Sequence, residues 1–152
     1  MQTMVSLEEA RELVLSKARA LEVETVPLLE AVGRVAAADL VSDIDVAPFA
    51  HAAMDGFALR SEQVEAASDQ SPVELRVVAE IAAGDSCETV AAPGTCVRIM
   101  TGAPVPSWAD TVVKYEVVRT VEGDGRLGSL VAFEAPSAVG ANIRAAGEEA
   151  RA

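Results

Sequence analysis

The chain has 152 residues, with 24 acidic against 12 basic side chains and a net charge of −12. That length accommodates one or two small domains, and a hydrophobic content of 51%, rich in alanine with only 3% aromatics, predicts a thin core of Val, Leu and Ile. Without a basic stripe or stacking aromatics nucleic acid is not an expected partner, and without an apolar run of about 18 residues or a basic-then-apolar N-terminus the chain reads as soluble and cytoplasmic, with no membrane partner.

Ser6-Leu7-Glu8-Glu9 has the Ser-x-x-Glu form of a capping box, in which hydroxyl and carboxylate satisfy each other's free backbone N–H groups. Leu7, Ala10, Val14, Ala18 and Leu21 then share one face, predicting a helix of about four turns that packs. Residues 27–33 carry Pro27 at the start and Gly33 at the end of a short second helix. Residues 35–46 lean towards β structure, and 61–72 form a polar, acidic surface segment. Val73, Leu75 and Val77 alternate with Glu74 and Arg76, the pattern of a half-buried strand. Turns are expected at 82–85 and at Pro93-Gly94, with a strand over 95–100. Residues 111–121 are β-rich, and a Gly-rich connection over 122–128 leads to a return strand at 129–133. No α/β alternation is present, which excludes a doubly wound nucleotide fold. Cys87 and Cys96 read as free, partly buried thiols, and a single histidine, His51, makes zinc an unexpected ligand.

Three stretches carry candidate chemistry. In 48–60, PFAHAAMDGFALR, Asp55 lies in an apolar run and is followed at once by Gly56. Asp-Gly is either a tight hairpin corner or a carboxylate placed in a half-desolvated pocket. His51, four residues earlier, is either structural or a hydrogen-bonding neighbour of Asp55. In 101–106, Thr101 offers a hydroxyl and Gly102 lets a ligand approach the backbone closely, unless the two prolines simply make a rigid surface loop. In 140–149, Arg144 could hold an oxyanion and a carboxylate could bind magnesium; a solvated polar tail has the same composition.

In order and spacing, these stretches resemble the molybdopterin molybdenumtransferases, the family of the bacterial MoeA proteins and the gephyrin E domain. AMDGFALR resembles the family's S-A-M-D-G-Y-A-V, RIMTGAPVP at 98–106 resembles R-I-M-T-G-A-P-V-P, and NIRAAGEE resembles N-I-R-x-x-G-E-D. The opening PLLEAVGRVAAADLVSDIDVAPF is similar to P-L-x-E-A-x-G-R-V-x-A-x-D-V-x-S-x-x-D-x-P-x-F, so the resemblance spans essentially the whole chain. It implies an enzyme that takes adenylylated molybdopterin and molybdate and, with Mg2+, inserts molybdenum and releases AMP. It also implies a homodimer with clefts between subunits, and the molybdopterin adenylyltransferase as a partner.

By the same resemblance Asp55 and Thr101 are catalytic, Gly56, Gly102 and Arg144 bind substrate, and Asp55 and Glu149 hold the metal. The chain departs from the pattern at Glu149 (Asp in the family), Ala52 (Ser) and His51 (Asn), which bears on metal geometry and on a hydrogen bond near Asp55. The expected fold is α+β: an N-terminal helical lobe of 1–47 with 139–152, and an inserted, mainly antiparallel β-rich lobe at 48–138. The strands come from periodicity and the lobe division from the resemblance. In the family an α/β domain and a β-barrel follow the Gly-Glu-Asp segment. The chain therefore matches the N-terminal part, with cleft and dimer surface, and is expected to be inactive by itself. The alternative is a non-catalytic binding or scaffold module of the same fold.

Overall fold

The computed structural model describes residues 4–86 and 92–152, so Cys87 lies outside the described residues. They divide into two units, one within Met1–Leu40 and the other Val41–Ala152.

In the first unit, helix α1 (Leu7–Lys17) begins on the expected capping box. Glu9 N–H donates to Ser6 Oγ at 3.2 Å, and Ser6 N–H donates to Glu9 Oε2 at 2.9 Å. The helix stops at an extended Ala18, so Ala18 and Leu21 lie beyond it. No residue of α1 is buried, which overturns the expectation that its apolar face packs. The physical reason lies in the surroundings: the only other helical element of the unit among the described residues is a 3-10 turn, Leu28–Glu30. That turn replaces the expected second helix. Residues 35–46 form no strand, because β-leaning side chains need a partner strand and only Val46 finds a bridge, to Ala150.

The second unit is mostly β. Strands β1 (His51–Ala52), β2 (Gly56–Leu59), β3 (Val73–Ile81), β4 (Thr95–Ile99), β5 (Thr111–Lys114), β6 (Val118–Glu122), β7 (Leu130–Phe133) and β8 (Ile143–Arg144) follow in chain order. Six of them form one sheet in the order β5-β2-β4-β3-β7-β6, and β1 pairs with β8. Neighbours are antiparallel except β3 and β4, which are parallel. The mainly antiparallel expectation therefore holds with one exception, at the pair joined by the long connection 82–94.

Both faces of the sheet centre are covered. Phe57, Leu59, Leu75, Val77, Cys96, Val131 and Phe133 form one apolar cluster, while Ala52, Ala58, Val97, Ile99, Ala103 and Val112 form another. Successive residues of β2 and β4 point to opposite faces, so these strands serve both clusters. Residues 61–72 are more than a polar surface. Val64 and Ala67 seal the first cluster, and Ser61 N–H and Oγ are held by Asp110 at 2.6 and 3.0 Å. The β-rich stretch 111–121 is broken by a 3-10 turn, Tyr115–Val117. Burial pushes the Cys96 thiol up to about 12, so it is an unreactive core group. Among the described residues no helix is long and apolar enough to cross a membrane.

Phe133, 1% exposed, and Val139, 74% exposed, give opposite expectations. Phe133→Ala should cost about 3–5 kcal/mol of stability in denaturant unfolding. Val139→Ala should stay within about 0.5 kcal/mol. Equal effects would contradict a core placed on the sheet.

Candidate active site

Strand β1 brings the three candidate stretches together. On one edge Ala52 N–H donates to Ala103 O at 3.0 Å, Gly102 N–H donates to Ala52 O at 2.9 Å, and Val105 N–H donates to Ala50 O at 3.0 Å. On the other edge His51 is in register with Arg144 and Ala52 with Ile143, and Ala53 N–H donates to Asn142 O at 2.9 Å. Ala52 itself is fully buried, with Ala103 in its cluster and Ile143 packed against it. At this position a serine hydroxyl would need a buried partner, whereas alanine needs none.

Asp55-Gly56 is not a hairpin corner. Gly56 opens β2 and pairs on both sides, with Ile99 of β4 and Lys114 of β5. A Cβ at Gly56 would lie 2.1 Å from Val113 O, so glycine is required here for close strand approach and not for a turn. Asp55 is thus held at the mouth of the sheet. Its carbonyl accepts from Tyr115 N–H at 3.0 Å, and its Oδ1 accepts from Thr101 N–H at 2.8 Å and from Thr101 Oγ1 at 2.7 Å. Among the described residues Oδ2 accepts no hydrogen bond. Gly102, at φ +81°, makes the left-handed turn that follows Thr101.

The Thr101 hydroxyl first, and then its N–H, hold the Asp55 carboxyl below its ordinary 3.8; Arg98 adds to this, and slight burial opposes it. A carboxylate so stabilised is a poor general base at neutral pH and a good holder of cations and donors. Thr101 spends its proton on Asp55 and keeps its oxygen as an acceptor.

Arg144 stands on β8, with its Nη1 3.2 Å from Glu149 Oε1. Both side chains are about half exposed, and such a surface pair is worth only about 0–1 kcal/mol, so a ligand oxyanion can displace it. Glu148 is used locally, accepting from Ala145 N–H at 3.0 Å. Among the described residues no three His, Cys, Asp or Glu side chains gather as a metal cluster. The donor set, one carboxylate with a free oxygen, fits magnesium, which is commonly held by one or two carboxylates together with substrate phosphates. His51 turns from Asp55 to the Phe49 carbonyl, with its Nδ1 at 3.3 Å, and meets the Phe49 ring edge-on.

Sequence reasoning missed two contributors. Asn142, at φ 54°, donates its Nδ2 to Val112 O at 2.8 Å and ties the β8 segment to β5. Arg98 sits with its guanidinium carbon 4.1 Å from the Tyr115 ring centroid and 5.1 Å from that of Phe57. The available signal was a cation between Val97 and Ile99 in a strand with no other charged residue.

Residues 5–152 match the family model described as the MoeA N-terminal region (domain I and II). A molybdopterin molybdenumtransferase of Synechococcus elongatus is 40% identical over 97% of this chain and 36% of its own length. Molybdopterin molybdenumtransferase 2 of Mycobacterium tuberculosis is 38% identical over 98% of this chain and 35% of its own length. The crystal structure of the molybdopterin biosynthesis MoeA protein from Pyrococcus horikoshii OT3 superposes with a TM-score of 0.75 at 36% identity, covering 98% of this chain and 38% of that one. The chain therefore spans about a third of the length of the curated relatives it matches.

The lowered pKa of Asp55 sets a pH window. The folded group titrates below 3.8, so its bonds to Thr101 are fully present above that value and are lost as pH falls through the folded one. Carboxyl-carbon NMR should place the Asp55 midpoint below 3.8, and Thr101→Ala should raise it. A wild-type midpoint at or above 3.8 would contradict the assigned hydrogen bonds.

Proposed function

The chain belongs to the MoeA N-terminal family, and on that premise we propose that it supplies part of the active cleft of a molybdenumtransferase. The reaction is insertion of molybdenum from molybdate into adenylylated molybdopterin, with release of AMP. The observation that carries this reading is the Asp55 carboxylate under two Thr101 donors, at the strand where all three motif stretches meet.

In this reading Asp55 orients the reacting groups through Oδ2, and Thr101 offers its hydroxyl oxygen and the adjoining turn to the substrate. Gly102 exposes backbone there, while Gly56 keeps Asp55 at the end of the sheet. Arg144 takes an oxyanion after exchanging it for Glu149. Magnesium, when bound, neutralises charge on the substrate phosphates; Asp55 would hold it, joined by Glu149 once Arg144 has released that carboxylate.

A homodimer with clefts between subunits belongs to the proposal, supported by exposed Leu7, Leu21, Leu28 and Leu29 in Met1–Leu40. So do a cytoplasmic location and the molybdopterin adenylyltransferase as donor of the adenylate. The division into 1–47 with 139–152 and an inserted lobe at 48–138 also belongs to the proposal, and its support is limited to the segments that flank the lobe. There Gly147 N–H donates to Ala47 O at 2.8 Å, and Glu149 N–H donates to Val46 O at 3.1 Å.

Molybdate-dependent AMP release tests the proposal. The chain by itself should be inactive, and the chain joined to the remaining domains of a molybdenumtransferase should turn over. In the joined protein Asp55→Asn should lower turnover roughly 100-fold or more while circular dichroism is unchanged. Turnover by the 152-residue chain alone, or full activity of Asp55→Asn, would sink the reading.

A further inference from the structure

Arg98 lies in β4 between Val97 and Ile99, both fully buried. Its register partners are Phe57 on β2 and Glu80 on β3. Glu80 is the expected ion partner, yet its Oε1 accepts from Leu127 N–H at 3.0 Å and its Oε2 faces Arg126 Nη1 at 3.9 Å. None of the ion pairs among the described residues includes Arg98, and its Nη1 is buried without a hydrogen-bond partner. Buried donors in native proteins are almost always paired, so packing alone does not account for a cation here. A guanidinium over aromatic faces is the arrangement that keeps an electrostatic contact without an acceptor.

Tyr115 is the ring that Arg98 grips more closely, at 4.1 Å, and it is 40% exposed. Its amide is the donor to the Asp55 carbonyl. Asp55 in turn accepts both donors of Thr101, which lies three residues beyond Arg98 on the same run of chain. The four residues thus close a ring in which each link is a contact in the structure or the covalent chain itself. The Tyr115 amide, the Thr101 donors and the pairing of Gly56 with Ile99 and Lys114 together set where Asp55 lies relative to Thr101.

We propose that Arg98 is a positioning residue of the Asp55–Thr101 corner: it grips the Tyr115 ring, so that the Tyr115 amide keeps the Asp55 carboxylate under both Thr101 donors. The inference rests on the reading of that corner as the working one. Its test needs no substrate, so the two can fail separately.

Amide hydrogen exchange of Thr101 in the 152-residue chain, referenced to the buried Val97 amide of the same strand, reads the corner directly. Arg98→Met should speed Thr101 exchange relative to Val97 about three- to thirtyfold, the range that a cation–π contact corresponds to. Arg98→Lys keeps a cation for the ring and should lose less. Tyr115→Leu, at an exposed position, should reproduce the Arg98→Met increase, and the double variant should exceed neither single by much. If Arg98→Met does not fold, Tyr115→Leu and Arg98→Lys carry the test. An unchanged Thr101-to-Val97 ratio in Tyr115→Leu, equal losses in Arg98→Lys and Arg98→Met, or Thr101 and Val97 rising together would overturn the proposal. Full turnover by Asp55→Asn in the joined protein would instead sink the transferase reading and leave the ring of contacts standing.

Discussion

The arrangement of the candidate site depends on one short strand having both of its backbone edges satisfied. His51–Ala52 is only two residues long, yet it pairs with the 102–105 loop on one side and with β8 on the other. Buried amide and carbonyl groups must be paired, and here each pair joins chain segments about fifty to ninety residues apart. A slip of one residue would turn Ala52 out of its apolar cluster and drive His51 in, which gives the register a strong preference. Asp55, Thr101 and Arg144 inherit their positions from that register.

The electrostatics of the site run against the charge of the chain. With a net charge of −12, the surface as a whole repels anions, so any anionic ligand at the site depends on local cations and on a carboxylate whose charge is already committed to neighbouring donors. Asp55 meets that condition through Thr101, with Arg98 adding to the same effect. Arg144 is balanced by Glu149 in a solvent-exposed pair, a weak arrangement that a stronger oxyanion partner can replace.

The two units differ in how their apolar residues are used. In Val41–Ala152 both faces of the sheet centre are closed, and β2 is buried along its whole length. In Met1–Leu40 Leu21, Leu28, Leu29, Val32 and Val35 are each more than four-fifths exposed. A helix that begins with a well-formed cap can therefore have good local chemistry and no packed face. Capping satisfies backbone groups near the helix end, whereas burial requires a partner surface.

Local rules made much of the fold legible. The Ser6–Glu9 capping box, the alternation through Leu75 and Val77, and the β6–β7 hairpin with its glycines all depend on residues a few positions apart. The motif stretches were legible for the same reason, and so was their resemblance to one family. What could not be read was how distant strands meet. The need for Gly56 comes from the Val113 carbonyl across the sheet, the parallel pairing of β3 with β4 from the order of strands in the sheet, and the burial of Val64 and Ala67 from the cluster beneath them. The contacts of Arg98 with Tyr115, of Tyr115 with Asp55 and of Asp55 with Thr101 join residues that no spacing brings together. The sequence by itself determined the elements, the motifs and the family, because each is written in short-range chemistry. Only the tertiary structure decided which oxygen of Asp55 is engaged and which is open, because that choice depends on strand register and on donors brought from elsewhere in the chain.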